Sequence, residues 1–373
     1  LVRTLSRAAL FAGVCGMALP AAAQDDGGEI VVTARKRAET LIEVPVSVTA
    51  FSAAQLDDMA IDSFADLSAA APNLTVSQVS GGLGGSIHLR GVGTSAGSNA
   101  SFEQTVAVNI DGVQLSRGSA LRLGQIDMNR IEILRGPQAL FFGKNSPAGV
   151  ISITSQDAGD QFEVMLRAGY EANANERMLD AVVSGPLTET LRARVTLSTN
   201  EMDGWMDNQA PDVAAAANAL VPNAVYAPID EGPQQFFWMA RGSLNWEPTS
   251  TFDVRAKLSM AELDGPGFQQ GPNQRFFCPM GTPQVAGQVN ALTANPATRA
   301  ALTPILAVDD CTANDTYAHG SINPAHLANA RLGKDARGLG RYELALGSIE
   351  ANWQLSPSLL LTGVTGGAAI EAW

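Results

Sequence analysis

The chain has 373 residues, enough for two or three domains. Charged residues make up only 16 % of the sequence, and glycine is frequent, with 36 residues, which is unlike an average water-exposed globular domain. The 24 basic and 37 acidic residues give a net charge of −13, which disfavours nucleic acid as a partner because phosphate binding needs the opposite charge.

The first 23 residues are typical of a cleaved export signal. Arg3 and Arg7 precede the apolar stretch 8–19, and three alanines at 21–23 form a small-residue cleavage site. A membrane anchor is the alternative, but the apolar stretch is shorter than the roughly 20 residues that a spanning helix needs. We therefore expect residues 1–23 to be removed when the protein is exported.

Residues 24–42 are predicted to form a flexible linker that contains one extended segment. The linker starts with a polar, glycine-rich run at 24–28, which has no means of packing. The segment 29–37 then combines three β-branched apolar residues and a threonine with three basic residues. Such a run favours an extended backbone.

A mixed α and β pattern extends over residues 43–157. Ser52 and Gln55 form a predicted capping box for a helix that continues to Met59. Asp62 is the predicted cap of a second helix, in which apolar residues recur at helical spacing: Ile61, Phe64, Leu67 and Ala71. Short strands are predicted at 86–90, 106–110, 113–115, 130–134 and 149–154, with a hairpin turn at Asp111-Gly112.

The remaining residues, 160–373, are predicted to be entirely β. Candidate strands cover 161–170, 176–185, 191–202, 234–246, 251–263, 342–354 and 358–370. Several are close to the 9 to 11 residues that a tilted membrane strand needs, and they alternate polar with apolar residues. Short links at 186–190, 247–250 and 355–357 alternate with long links at 203–233 and 264–341. This arrangement is typical of an outer-membrane β-barrel.

Several short motifs occur in an order that resembles the TonB-dependent outer-membrane receptor family. They are 29–37, 43–48, 71–74, 89–93, 109–113 and 130–138, followed by Gly143, Asn145 and 148–151. The resemblance implies a 22-stranded antiparallel barrel closed by a mixed α/β plug. About seven strands are present here, so we expect an N-terminal part of a longer receptor: signal peptide 1–23, linker 24–42, plug 43–157 and first barrel strands 160–373.

The resemblance also implies a function without catalysis or a resident cofactor. Such a receptor lies in outer-membrane lipid with its plug facing the periplasm, and it imports a scarce nutrient when TonB pulls on the plug. A ferric siderophore is the expected nutrient, with oligosaccharide, cobalamin and haem as alternatives. A passive porin or surface adhesin is the competing class, and a secreted hydrolase lacks any catalytic motif in this sequence.

Three sets of residues are assigned by these considerations. The TonB-binding residues implied by the resemblance are Glu29, Ile30, Val31, Val32, Thr33 and Ala34. Arg90 and Arg135, each in a Leu-Arg-Gly motif, are the implied latch between plug and barrel, or else they only stabilise the plug. Cys278 and Cys311 lie in one long loop and form either a disulfide or a free pair.

The sequence offers one further cluster that a metal could use. His319 and His326 follow a group of aspartates at 309, 310 and 315, but their spacing fits no standard metal site. We therefore expect a solvated loop and no metal there.

Overall fold

The computed structural model describes residues 31–32, 39–40, 46–61, 63–78, 85–94, 104–115, 126–208, 219, 231–232, 234–266, 295–297, 300–301, 316–317 and 339–372. Two sheets dominate these residues: a five-stranded mixed sheet and a seven-stranded antiparallel sheet. Within the described ranges, no helix is both long enough and apolar enough to cross a membrane.

The described residues of the N-terminal half form three short helices and ten strands. In chain order they are β1 (Val31–Val32), β2 (Glu39–Thr40), β3 (Val48–Ser52), α1 (Ala53–Asp58), α2 (Phe64–Ala70), β4 (Leu74–Gln78), β5 (Gly85–Leu89), β6 (Val92–Gly93), β7 (Val106–Ile110), β8 (Val113–Leu115), β9 (Met128–Arg135), α3 (Ala139–Phe142) and β10 (Gly149–Ser155). The mixed sheet has the order β3-β9-β10-β7-β8, in which only β10 and β7 are parallel. Strands β4, β5 and β6 form a separate small sheet.

The described residues of the C-terminal half form ten more strands. They are β11 (Glu163–Glu171), β12 (Glu176–Pro186), β13 (Leu191–Met202), β14 (Met206–Asn208), β15 (Glu231–Gly232), β16 (Gln235–Thr249), β17 (Phe252–Pro266), β18 (Thr316–Tyr317), β19 (Leu339–Ser356) and β20 (Leu359–Ala372). Seven of them pair in the order β11-β12-β13-β16-β17-β19-β20, and the other three form a small sheet of their own. All seven long strands expected from the sequence are therefore present.

The two helix starts test the capping predictions. The capping box at Ser52 is confirmed, because its hydroxyl accepts from the Gln55 amide and the Gln55 side chain accepts from the Ser52 amide. The prediction of Asp62 as the second cap is wrong. Ser63 is the N-cap, and its hydroxyl accepts from the Asp66 amide at 3.2 Å and donates to the Asp66 carboxylate. The shorter serine side chain, one position closer to the helix, reaches the third amide of the first turn.

The seven-stranded sheet has an inverted distribution of polarity. Its inner face buries polar side chains, namely Arg194, Thr196, Ser198, Arg241, Ser243, Asn245, Lys257, Ser259 and Ser348. Its outer face exposes apolar ones at alternating positions, including Val195, Leu197, Leu244, Leu258, Met260 and Ile349, each close to half exposed. In water this outer face would be costly, so it is suited to lipid.

Aromatic side chains border the apolar outer face at both ends. Trp246, Phe252 and Trp353 lie near the short turns, and the last two rings meet edge to face at 6.4 Å. Phe236 and Trp238 lie at the other end, where the Trp238 indole donates to Glu262 at 3.1 Å. The ten residue steps from Trp246 to Phe236 rise roughly 26 Å for a strand tilted by about 40°, close to the height of an outer-membrane apolar band.

The mixed sheet packs against the inner face of the seven-stranded sheet. Buried residues of both sheets belong to one hydrophobic cluster, which includes Ile131, Ile151, Phe237, Met239 and Leu346. This apolar contact lies toward the end of the long loops, and the polar inner side chains lie toward the end of the short turns. The second region forms the candidate site.

Candidate functional site at the contact between the two sheets

Three cations on neighbouring strands of the seven-stranded sheet face the mixed sheet and its adjoining segments, which we call the N-terminal unit. We call Arg194 on β13, Arg241 on β16 and Lys257 on β17 the cation row. All three side chains are buried. Each of them contacts a segment next to the mixed sheet, at the turn 111–112, the residues 126–127 or the residues 155–157.

The Arg194 guanidinium binds both carboxylate oxygens of Asp127. The guanidinium Nη2 lies 2.6 Å from Oδ1 and Nε donates to Oδ2 at 3.0 Å, and the Thr196 hydroxyl also donates to Oδ2. The Asp127 and Arg194 side chains are only 4 % and 9 % exposed. A forked guanidinium matches the two oxygens of a carboxylate, so this pair fixes position as well as charge.

Arg241 binds the backbone of the same segment. Its Nη1 donates to the carbonyl oxygens of Ile126 at 3.0 Å and Asp127 at 3.2 Å, while Nε donates to the Ser259 hydroxyl at 3.0 Å. Asp127 has a left-handed backbone, with φ of 58°, and its carbonyl oxygen also accepts from the Gln156 amide at 3.1 Å. Arg241 therefore holds the segment that presents Asp127.

Lys257 joins two further parts of the N-terminal unit. Its ammonium lies 3.2 Å from Asp111 Oδ1 and 2.8 Å from Asp157 Oδ1, and it donates to the Ser155 carbonyl at 2.8 Å. Asp111 also accepts from the Ser155 amide and hydroxyl, at 3.0 and 2.8 Å. Because Asp111 follows the C-terminal end of β7 and Ser155 ends β10, Lys257 connects the C-terminal ends of both strands of the parallel pair to β17.

The cation row therefore attaches the N-terminal unit to the seven-stranded sheet, which we call the wall, through buried charged side chains. Its partners are the buried carboxylates of Asp111 and Asp127, the Asp157 carboxylate at 30 % exposure, and three backbone carbonyl oxygens. A buried ion pair adds little net stability over apolar packing, but removal of one partner is costly because a bare charge is left inside. Such a contact specifies where the unit lies and resists its displacement.

The attachment should persist to low pH. Burial raises the pKa of Asp127, but hydrogen bonds from Arg194 and Thr196 and the charges of Arg194 and Arg241 outweigh it and hold the pKa below its ordinary value. A carboxylate with a lowered folded pKa contributes stability above its unfolded pKa of about 3.9 and loses it as the pH falls through the folded value. Hydrogen exchange of the amides 126–135 should therefore be protected equally at pH 7 and pH 5. A large loss of protection already at pH 5 would contradict this assignment.

The predicted latch residues lie together on another side of the N-terminal unit. Arg90 donates to the Ser47 hydroxyl at 3.3 Å, and Arg135 donates to the Pro72 carbonyl at 3.2 Å. Burial, with the nearby charge of Arg90, lowers the pKa of Arg135. Within the part of the chain that the structure describes, neither arginine forms an ion pair with a carboxylate. Their role as a latch remains a prediction.

The predicted TonB-binding segment is described at two residues. Val31 and Val32 form β1, which pairs antiparallel with β2 through Val31–Thr40 and Val32–Glu39. The neighbouring Glu29, Ile30, Thr33 and Ala34 lie outside the described residues, as do Cys278, Cys311, His319 and His326. In the described ranges, no three His, Cys, Asp or Glu side chains are grouped as metal ligands would be.

The cation row was not identified from the sequence. The sequence marks Asp111 only as a turn residue, and it places Lys257 only within the predicted strand 251–263. The available signal was a cation at an inward position of a strand whose other face is apolar, because such a charge needs a buried partner. The sequence does not show which carboxylate that partner is.

Comparisons with known proteins agree with this architecture. Residues 40–150 match the sequence model described as TonB-dependent Receptor Plug Domain. The chain is 31 % identical over 203 residues to the pesticin receptor of Yersinia pestis, covering 52 % of this chain and 29 % of the relative. It is 28 % identical over 243 residues to the ferrioxamine B receptor of Salmonella typhimurium, covering 60 % and 33 %. The matches thus span about a third of these relatives.

Solved structures show the same fold. The ferric yersiniabactin uptake receptor from Yersinia pestis superposes with a TM-score of 0.61 at 17 % identity, covering 88 % of this chain and 41 % of that one. The pyoverdine outer membrane receptor from Pseudomonas aeruginosa gives a TM-score of 0.61 at 14 % identity, covering 93 % and 41 %. The N-terminal unit is therefore a plug, and the seven-stranded sheet is part of a barrel wall that is not closed.

Proposed function

Given that this chain belongs to the TonB-dependent outer-membrane receptors, we propose that it takes part in the active import of a scarce nutrient across that membrane. The observation that carries the proposal is a plug bound by buried ion pairs to the polar inner face of a wall whose outer face is apolar. A bound plug blocks passive flow, so opening requires work from outside the barrel. This disfavours a passive porin, and an adhesin would need no plug.

A ferric siderophore is the nutrient that we propose. Among the relatives, one is named as a ferrioxamine B receptor, and one of the similar structures is a ferric yersiniabactin uptake receptor. Haem and cobalamin remain alternatives, because a hemin receptor of Yersinia pestis and a vitamin B12 transporter of Vibrio vulnificus are also similar, at 28 % and 27 % identity. None of these named relatives supports the oligosaccharide alternative.

The partner that we propose is TonB, bound at residues 29–34. Strand addition uses main-chain hydrogen bonds of an extended segment, and the pairing of β1 with β2 supports the ability of this segment to form such bonds. We also propose residues 1–23 as signal peptide, 24–42 as linker, 43–157 as plug and 160–373 as barrel strands. Arg90 and Arg135 are the proposed second attachment of the plug.

Uptake measurements test the proposal. Cells that express the full-length receptor should accumulate ferrioxamine B labelled with radioactive iron, and a protonophore should reduce accumulation to the level of cells without the receptor. Labelled hemin and cyanocobalamin, measured in the same cells, distinguish the alternative nutrients. Accumulation that continues unchanged after collapse of the proton gradient would indicate passive flow and refute active import.

A further inference from the structure

The segment proposed to bind TonB lies in a small sheet of its own. Strand β1 (Val31–Val32) pairs antiparallel with β2 (Glu39–Thr40), so that Val31 lies opposite Thr40. Both strands precede β3, the first strand of the mixed sheet, and six residues, 33–38, connect them. Within the described residues, neither strand pairs with a strand of any other sheet. One edge of β1 is therefore covered by β2, and among these residues its other edge has no partner strand.

The antiparallel register divides the main-chain groups of β1 between its two edges. In such a pair, residues that exchange hydrogen bonds with the partner alternate with residues whose N–H and C=O groups point away from it. Val31 and Val32 are neighbours, so one of them bonds β2 and the other directs its N–H and C=O to the unpaired edge. A strand can therefore be added at that edge while β2 stays in place.

The residues of both strands favour this extended backbone. Val31, Val32 and Thr40 are β-branched, a type of side chain that is common in strands. An isolated two-stranded hairpin is only marginally stable in water, and further strands are generally needed for independent stability. The pair of β1 and β2 is thus a surface that gains stability when a partner strand is added.

Pairing with β2 also lowers the cost of binding at β1. A segment that is ordered only on binding loses backbone freedom at that moment, and this loss reduces its affinity. Two residues of the proposed TonB-binding segment 29–34 are already held in strand conformation by β2. Strand addition at the unpaired edge keeps this benefit, whereas addition in the place of β2 would first have to break both residue pairs.

We propose that TonB adds its strand to the unpaired edge of β1 and that β2 remains paired behind it. The binding surface is then a two-stranded hairpin, in which Glu39 and Thr40 position β1 and do not contact TonB. The kind of partner that fits is a sheet with a free edge strand, because main-chain hydrogen bonds join the two. The inference rests on the proposed function, which supplies TonB as the partner at residues 29–34.

Removal of the β2 pairing tests this role. The variant Glu39→Pro, Thr40→Pro lacks both N–H groups, so it loses whichever one bonds β1. Its matched control, Glu39→Gln, Thr40→Val, keeps both N–H groups and the branched side chain at position 40. Dissociation constants for the periplasmic part of TonB are measured with the purified full-length receptors. The proline variant should bind roughly tenfold more weakly than the control, the equivalent of one or two main-chain hydrogen bonds.

Two outcomes of this comparison would contradict the proposal. A dissociation constant that is equal in the two variants would mean that β2 contributes nothing to TonB binding. Tighter binding by the proline variant would mean that β2 competes with TonB for the same edge of β1. Equal protection of the β10 amides in hydrogen exchange serves as the control that both variants keep a folded plug.

An engineered disulfide distinguishes a hairpin that stays paired from one that opens. Val31→Cys with Thr40→Cys places two cysteines at directly opposite residues, and it is made together with Cys278→Ser and Cys311→Ser. The oxidised receptor is compared with its own reduced form, so the side-chain changes are the same in both. The oxidised form should bind TonB at least as tightly as the reduced form. Loss of binding on oxidation would show that β2 has to leave, which overturns the proposal.

Uptake by the unchanged receptor keeps this inference separate from the proposed function. If uptake requires the proton gradient while the proline variant at 39 and 40 binds TonB as its control does, only the hairpin arrangement is refuted. If the unchanged receptor shows neither gradient-driven uptake nor TonB binding, the proposed function fails, and the hairpin arrangement that rests on it is refuted as well.

Discussion

Replacement of Val31 by proline is expected to abolish nutrient import while the receptor remains in the outer membrane and still binds its nutrient. Proline has no backbone N–H, so it removes one main-chain hydrogen bond from any strand that a partner would form with residues 29–34. The described part of this segment has a strand backbone, paired with Glu39–Thr40. Import should fall to the level measured with a protonophore, whereas binding of the labelled siderophore to whole cells should not change.

The matched control is Val31→Thr, which keeps the branched shape and the backbone N–H. This variant should import at the rate of the unchanged receptor, because strand addition depends on the main chain. Unchanged import by both the proline and the threonine variants would show that residue 31 forms no main-chain bond with TonB. If both variants fail, the Val31 side chain is itself recognised, and the main-chain mechanism is wrong.

The strands of the wall could be predicted from the sequence because the alternation of polar and apolar residues lies within each strand. In β13 the alternation of Arg194, Val195, Thr196 and Leu197 marks the two faces, and the strand bounds 191–202 were predicted without error. The hairpin at Asp111-Gly112 was also predictable, since φ is positive at both residues, at 48° and 84°, a backbone that Asp and Gly tolerate. Periodicity and turn chemistry fix these elements without reference to the rest of the chain.

Contacts between distant segments could not be predicted in this way. Asp127 and Arg194 are separated by 67 residues, and Asp111 and Lys257 by 146. The pairing of β14 with β18, which places Asp207 beside Thr316, likewise has no local signal. The cap at Ser63 was missed for a different reason, because Asp62 is an equally suitable capping residue by type and only the position of the first helical turn decides between them.

The ion pair between Asp127 and Arg194 should be the most sensitive point of the attachment. Arg194→Met keeps the length of the side chain but leaves the Asp127 carboxylate buried at 4 % exposure with the Thr196 hydroxyl as its remaining side-chain donor. Loss of one partner of a buried pair costs roughly 3–5 kcal/mol. The plug contains no tryptophan, so fluorescence would not report this change, and hydrogen exchange of the β10 amides is the suitable measurement. Exchange there should become roughly 150- to 5,000-fold faster.

A second Arg–Asp pair provides the control for burial. Arg192 lies 2.7 Å from Asp160 and also contacts the Glu247 carboxylate, but these two acidic side chains are 81 % and 44 % exposed. Arg192→Met should change the free energy of opening, as measured by hydrogen exchange of the β10 amides, by less than about 1 kcal/mol, as is usual for exposed pairs.

The double variant Asp127→Asn, Arg194→Met should be destabilised by less than the sum of the effects of its two single variants, since no bare charge remains. Equal effects of Arg192→Met and Arg194→Met would mean that burial contributes nothing, and the cation row would then not be what holds the plug to the wall.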